Sequence, residues 1–197
     1  MIKYEPIFNR DVVRAGDIVC RNAGGFIGHS IMWATDSLWN HDAIFIPWQG
    51  HLGIGDALMN AGCQLTVPFE WETRAIREGH KLIVLRPRDA TAAQGEAAAA
   101  DWMELVHGRD YDKVAIYRLL LKTVFGDHLP GQVGRPLDFF CSEGVAKVWK
   151  RRMHPSPWHP VLENETPGTT CAAWKAGQLI EPEGAFTEFG QRFRIRA

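Results

Sequence analysis

Apolar residues in the first half of the chain fall mostly into short runs of the kind that form β-strands. The segments "RAGDIVCRN", "HDAIFI", "HLGIGDAL", "CQLTVPF" and "KLIVLRP" carry β-branched or aromatic residues, and turn-forming residues separate them. In contrast, "GGFIGHSIMWATDSLW" places Ile27, Ile31 and Leu38 at roughly helical spacing. The first half is therefore predicted to hold several strands and one helix.

Helical spacing dominates the second half. Residues 91–107 and the segment "DYDKVAIYRLLLKTVFG" are predicted helices, and "HLPGQVGRPLD" is a predicted loop. A further helix is expected to begin near Cys141, since apolar residues recur at i, i+3 and i+4 in "CSEGVAKVWK". The tail is rich in Pro and Gly and is expected to be mostly irregular, with a short helix near "TCAAWKAG".

This distribution of strands and helices predicts an α+β protein in which an antiparallel sheet packs against helices, and not a βαβ repeat. The length of 197 residues suits one domain with a full-sized core. We expect a single domain over residues 1–197, with a core at about 15–155 and an irregular tail at about 155–197.

The net charge and the lengths of the apolar runs limit which partners the protein is expected to have. A formal net charge of −1 gives no electrostatic footprint for nucleic acid, so no DNA or RNA partner is expected. No run approaches the roughly 20 apolar residues that span a bilayer, and the start "MIKYEPIFNRDVV" lacks the apolar region of a signal peptide. The expectation is a cytoplasmic protein without stable membrane insertion, although export by another route and the oligomeric state stay open.

The predicted hairpin formed by "HDAIFI" and "HLGIGDAL" suggests a His–Asp pair. If "PWQG" (residues 47–50) is a four-residue loop, Ile46 pairs with His51, and His41 lies directly opposite Asp56. This register gives one sheet face an apolar middle and a polar end, which a slip by one residue would disrupt. An ordinary surface ion pair would show the same pattern.

Four cysteines are present, none in a C-x-x-C pair, and Cys141 lies at an expected helix start. Helix N-termini favour a thiolate, and their N–H groups can stabilise an oxyanion. Cys141 as nucleophile, His41 as base and Asp56 as the residue that orients the imidazole form a coherent triad. The alternatives are a buried core cysteine and His51 as the third residue.

The order of "AGDIVC", "NHDAIFI", "GIGDALM", "GRDYD" and "FFCSEGVAKVW" resembles the circularly permuted branch of the NlpC/p-sixty superfamily. These are papain-like cysteine hydrolases that include YiiX-like proteins and relatives of lecithin:retinol acyltransferase. In that branch the His strand comes first, a polar residue precedes an Ala on the next strand, and the nucleophilic Cys begins a later helix. The resemblance covers about residues 15–150 and implies a permuted papain-like fold with Cys141, His41 and Asp56 as catalytic residues.

Two residues depart from the pattern of this branch. Asp42 stands after the His, where a small or apolar residue is more usual, but strand alternation directs it away from His41. Gly144 weakens the first turn of the Cys helix.

The expected activity is a thiol hydrolase that cleaves an amide, such as a peptide or peptidoglycan stem, without a cofactor. A lipid acyl ester or amide substrate is the alternative, for a hydrolase or an acyltransferase. A catalytically silent structural or binding module is a third possibility. No metal site is expected, because His51 and Cys63 together with His41 and Asp56 match no zinc-ligand spacing.

Overall fold

The computed structural model describes residues 5–113, 141–158 and 166–196. Strands β1 to β6 are Ile18–Asn22, His41–Trp48, His51–Leu58, Gly62–Thr66, Lys81–Pro87 and Leu179–Ile180. Helices α1 to α5 are Phe26–Thr35, Pro68–Glu78, Ala92–Leu105, Cys141–Lys150 and Pro167–Lys175, and a short 3-10 helix spans Gly190–Arg192.

Within these ranges, six strands form one antiparallel sheet in the order β4-β3-β2-β1-β5-β6. Alternate residues of β1, β2, β3 and β5 enter two separate cores. Ile44 of β2 packs in one core with Val145 of α4, whereas Phe45 packs in the other with Trp71 of α2. The prediction of an α+β protein with an antiparallel sheet against helices is confirmed.

The hairpin of β2 and β3 is tighter than the predicted four-residue loop. Trp48 pairs with His51, which leaves Gln49 and Gly50 as a two-residue turn with φ of 49° and 77°. Pro47 joins β2 because β1 pairs with this strand only as far as Ile44, so the missing N–H of Pro47 removes no bond from the sheet. The predicted register was therefore wrong by two residues, a shift that keeps each side chain on its predicted face.

Helix α2 was missed in the sequence, where "CQLTVPF" was predicted as strand throughout. Strand β4 ends at Thr66, and α2 begins with Pro68 in its first turn and ends at Gly79 with a φ of 67°. Trp71 and Ala75 bury one side of this helix at i, i+4 spacing. Pro at the start and Gly at the end were the available signals.

The other described helices agree with prediction. Helix α1 confirms the first predicted helix, and α3 confirms residues 91–107, with Thr91 and Gln94 forming a capping box at its start. The predicted helix "DYDKVAIYRLLLKTVFG" and the loop after it lie almost wholly outside the described residues. No helix of the described ranges is long and apolar enough to cross a membrane.

The tail is more regular than predicted. The short helix expected near "TCAAWKAG" is α5, and β6 adds an antiparallel strand beside β5. Phe186 forms a bridge with Phe8, near the start of the described chain, and both side chains are buried in the core on the α2 side. The tail therefore contributes both to the sheet and to a core.

Candidate functional site

His41 and Asp56 are in contact. His41 is the first residue of β2, and its Nε2–H donates a hydrogen bond to Asp56 Oδ1 in the middle of β3. Continuing the pairing of Ile44 with Gly55 by one residue places Asp56 opposite Ala43, so the contact with His41 is diagonal. The predicted contact is present, although the predicted direct opposition is wrong.

The second oxygen of Asp56 is held from α2. Trp71 Nε1–H donates to Asp56 Oδ2 at 3.0 Å, and the guanidinium of Arg21 lies over the Trp71 ring, 5.7 Å from its centroid. Asp56 is fully buried, and His41 is 7% exposed. Sequence reasoning missed the roles of Trp71 and Arg21, because the first lies on the unpredicted helix. Arg21 pairs with His41 across β1 and β2, so a correct β1–β2 register would have found it.

The charges around this pair determine its protonation state. Burial by itself raises the pKa of Asp56, but the positive charges of His41 and Arg21 and the hydrogen bonds from His41 and Trp71 outweigh it, so the pKa lies well below its usual range. Burial and the charge of Arg21 lower the pKa of His41, and Asp56 only partly offsets them. At neutral pH the pair is therefore a carboxylate and a neutral imidazole, which is the form that accepts a proton.

Cys141 is the first residue of α4 and is 3% exposed. The backbone N–H groups of Asp42 and Ser142 act to lower the pKa of its thiol. Asp42 lies beyond the last residue pair of the β2–β3 ladder, Ile44 with Gly55, at the end of β2 where His41 begins the strand. Cys141 is buried in the same core as Ile44 of that strand.

The side chains of Cys141 and His41 are not brought together. Cys141 belongs to the core that contains Ile44, whereas His41 alternates with Ala43 and Phe45, which belong to the other core. Among the described residues, no hydrogen bond joins the Cys141 sulfur to the imidazole. The structure thus brings His41 and Asp56 together and places Cys141 in the core on the opposite face of the sheet.

The thiol of Cys141 is not poised as a thiolate. Burial and the negative charge of Asp42 raise its pKa far above the usual value, and the two N–H groups of Asp42 and Ser142 oppose this only in part. The expectation that the helix start would favour the thiolate is therefore wrong for the resting protein. The N–H groups act as expected, but burial and a neighbouring carboxylate outweigh them.

Asp42 points away from His41, as strand alternation predicted, and toward the Cys141 side of the sheet. It is 1% exposed, and Thr170 Oγ1–H of α5 donates to its Oδ2 at 2.8 Å. The sequence comparison with the family pattern noted Asp42 only as a departure. Its position beside the thiol could be recognised only once the face on which α4 packs was known.

The remaining candidates lie elsewhere or are buried in the core. His51 is the first residue of β3 and is exposed beside the hairpin turn. The hydrogen bond from His41 goes to Asp56. Cys20, Cys63 and Cys171 are buried cysteines, and none forms a disulfide with another described residue. His51 is therefore not the partner of His41.

Comparisons with known proteins support the fold. No family model matches the sequence, and no curated protein matches it. Among solved structures, the crystal structure of the metalloprotein YiiX from Escherichia coli O157:H7, DUF1105, matches with a TM-score of 0.56 and 16% sequence identity. The match covers 87% of this chain and 90% of that chain. At this identity the likeness concerns the fold alone, and the chain has a YiiX-like fold.

A metal does not fit the residues around the His41 pair. Asp56 uses one oxygen for His41 and the other for the Trp71 N–H, and the positive charge of Arg21 acts on both His41 and Asp56. In the ranges that the structure describes, no group of three or more His, Cys, Asp or Glu could hold a metal ion. The side chains of the candidate site are suited to acid–base and thiol chemistry.

Proposed function

We propose that the chain is a thiol hydrolase that cleaves an amide bond through an acyl-enzyme on Cys141. One observation carries the proposal: the buried His41–Asp56 pair lies at the start of β2, and Cys141 begins helix α4, which packs against the other face of that strand. A candidate nucleophile, a base and a residue that orients the base thus lie on the two faces of one sheet, at β2 and the strand beside it. A permuted papain-like fold, of which the YiiX-like fold is one form, is part of the same proposal.

In this mechanism the Cys141 sulfur attacks the carbonyl carbon while its proton passes to the neutral His41 imidazole. The N–H groups of Asp42 and Ser142, which lower the pKa of the thiol, favour loss of its proton as the C–S bond forms and negative charge passes to the carbonyl oxygen. His41 then returns the proton to the leaving amine, and water hydrolyses the thioester with His41 as base. Asp56 keeps the imidazole oriented and stabilises its protonated form.

This mechanism makes one geometric demand. The imidazole must reach the sulfur past the Asp42 peptide, directly or through one water. The other ring nitrogen, Nδ1, is the atom available for this step, because Nε2 is bonded to Asp56. Because the thiol is protonated at rest, proton removal and attack occur together instead of starting from a stored thiolate.

The proposed substrate is a peptide-type amide such as a peptidoglycan stem, and the resemblance to relatives of lecithin:retinol acyltransferase makes a lipid acyl group the alternative. The test is turnover of purified peptidoglycan fragments and of acyl esters by the wild-type protein. Cys141→Ala is expected to abolish turnover, while Cys63→Ala, which removes a buried thiol from β4, is expected to leave it unchanged. Activity on acyl esters alone would indicate a lipid acyl substrate instead of an amide. Equal activity of Cys141→Ala and wild type would refute the role of Cys141 as nucleophile.

A silent structural or binding module is the second candidate, and a specific observation favours it. Cys141 is 3% exposed with a raised pKa, as is typical of cysteines that only fill a core. This candidate predicts a folded protein without turnover on either substrate class, and Cys141→Ala would then change stability but no activity.

A further inference from the structure

We propose that Arg21, Arg74 and His80 form a binding site for a phosphate group that carries a proton. The site lies next to the His41–Asp56 pair, on the α2 side of the sheet. The inference goes beyond the proposed function and does not depend on it, because binding of an anion can be measured without any turnover. Neither the predicted triad nor the resemblance assigns a role to the three residues.

Arg21 of β1 lies at the centre of this cluster. It pairs directly with His41 of β2 on one side and with Leu82 of β5 on the other. Its guanidinium lies over the buried Trp71 ring, 5.7 Å from the centroid, so the side chain extends toward α2. Directly opposed residues share one face of a sheet, so the guanidinium and the imidazole of His41 lie together on that side.

His80 and Arg74 approach Arg21 from two other elements. His80 directly precedes β5 and lies diagonally from Arg21 across the β1–β5 pair, and its backbone N–H donates to the carbonyl oxygen of Ala75 at 2.9 Å. Arg74 is half-buried and follows Trp71 by one turn on α2. In agreement with this placement, burial and the charge of Arg21 lower the pKa of His80, and the charge of Arg74 lowers it further.

The guanidinium of Arg21 has no acceptor within the part of the chain that the structure describes. Its Nε–H is shielded from solvent without a partner there, and neither Arg21 nor Arg74 forms an ion pair with a described carboxylate. Both oxygens of Asp56 accept hydrogen bonds from other side chains. Both oxygens of Glu78 also have other partners, one of them His80 at 3.0 Å. A shielded N–H without an acceptor is costly, and an anionic ligand would supply the acceptor.

The donor and acceptor pattern of the cluster selects the kind of anion. The guanidinium fork matches the oxygens of a phosphate. His80 is 4% exposed and turns Nε2 to the carboxylate of Glu78, so Nε2 carries the hydrogen and Nδ1 is an acceptor in the neutral ring. Nδ1 is buried and has no partner among the described residues. Hydrogen phosphate offers oxygens to Arg21 and a hydroxyl to His80, whereas sulfate offers only oxygens.

The experiment titrates the wild-type protein with inorganic phosphate and with sulfate at pH 7 and constant ionic strength, by isothermal titration calorimetry. Phosphate is expected to bind, and sulfate to bind about tenfold more weakly, because it brings no proton to His80. Arg21→Gln removes the charged fork, and its Kd for phosphate is expected to rise by about tenfold or more. Arg194→Gln, at an exposed arginine that pairs with Glu181, is expected to leave the Kd unchanged.

Three results would overturn the inference: no binding of phosphate by the wild type, equal affinity for sulfate and phosphate, or an equal Kd in the wild type and Arg21→Gln. If circular dichroism shows that Arg21→Gln does not fold, His80→Gln decides. Its amide can donate as well as accept, so the preference for phosphate over sulfate should fall, and an undiminished preference would overturn the inference. The proposed function fails separately, through turnover that survives Cys141→Ala.

Discussion

Trp71→Phe tests the hydrogen bond that fixes Asp56. The indole N–H donates at 3.0 Å to Oδ2 of a fully buried carboxylate, and phenylalanine retains most of the apolar contact but no donor. Hydrogen bonds to charged groups contribute about 1.5–3 kcal/mol, so the free energy of unfolding at pH 7 should fall by about that amount. For a chain of this length the expected fall in Tm is roughly 3–12 °C.

The pH dependence of this loss has a definite sign. The pKa of Asp56 is held below its usual range, so its stabilising contribution is present above the unfolded-state value of about 4 and is lost as pH falls through the folded-state value. Trp71→Phe moves the folded-state pKa of Asp56 upward. The difference between wild type and variant should therefore be constant from pH 7 down to about pH 4 and shrink only below it, as Asp56 of the folded variant becomes protonated.

The assay is urea unfolding followed by circular dichroism, with Trp39→Phe as the matched control. Trp39 is equally buried, but its Nε1–H has no hydrogen-bond partner in the part of the chain that the structure describes. Both variants lose a similar volume, so the excess loss in Trp71→Phe isolates the bond to Asp56. Equal losses in the two variants, or a difference that grows on acidification, would refute the reasoning.

Three further predictions concern stability. Between pH 7 and pH 5, the free energy of unfolding should fall less in His41→Gln than in the wild type, as measured by urea midpoints. The reason is that the pKa of His41 is lowered in the folded protein, so the unfolded wild-type chain binds a proton more readily than the folded one. An equal fall in both proteins would contradict this. Gln49→Asn should raise the free energy of unfolding by about 0.5–1 kcal/mol, since Asn suits the positive φ of 49° in this turn, and no gain would count against the turn. Gly168→Ala should lower Tm by an amount equivalent to about 1–3 kcal/mol, because its Cβ would overlap the carbonyl oxygen of Thr35, and an unchanged Tm would argue against the contact of α1 with α5.

Alternation predicted the sheet well, because its period does not depend on the turn. A four-residue loop and the observed two-residue turn at Gln49 and Gly50 both put His41 and Asp56 on one face, so the contact survived an error of register. The error arose at Pro47, since proline usually ends a strand. Here it lies beyond the last residue of β2 that pairs with β1, so its missing N–H removes no hydrogen bond from the sheet.

The placement of Cys141 could not be predicted in the same way. A sequence pattern that predicts the start of a helix gives the position of a cysteine along the chain. It does not show which face of the sheet the helix covers. Here α4 covers the face of Ile44, so Asp42 and not His41 faces the thiol. The helix-start rule for thiolates then fails, because it accounts neither for the burial that raises the pKa of Cys141 nor for the neighbouring carboxylate of Asp42.

The central claim, an acyl-enzyme on Cys141, is tested most directly by mapping the covalent intermediate. The wild-type protein would be incubated with peptidoglycan fragments, quenched in acid during turnover, digested and analysed by mass spectrometry. We predict the mass of the acyl fragment on the peptide that contains Cys141, and none in Cys141→Ala. Turnover with no acyl group on Cys141, or with the group on Cys20, Cys63 or Cys171, would contradict the claim.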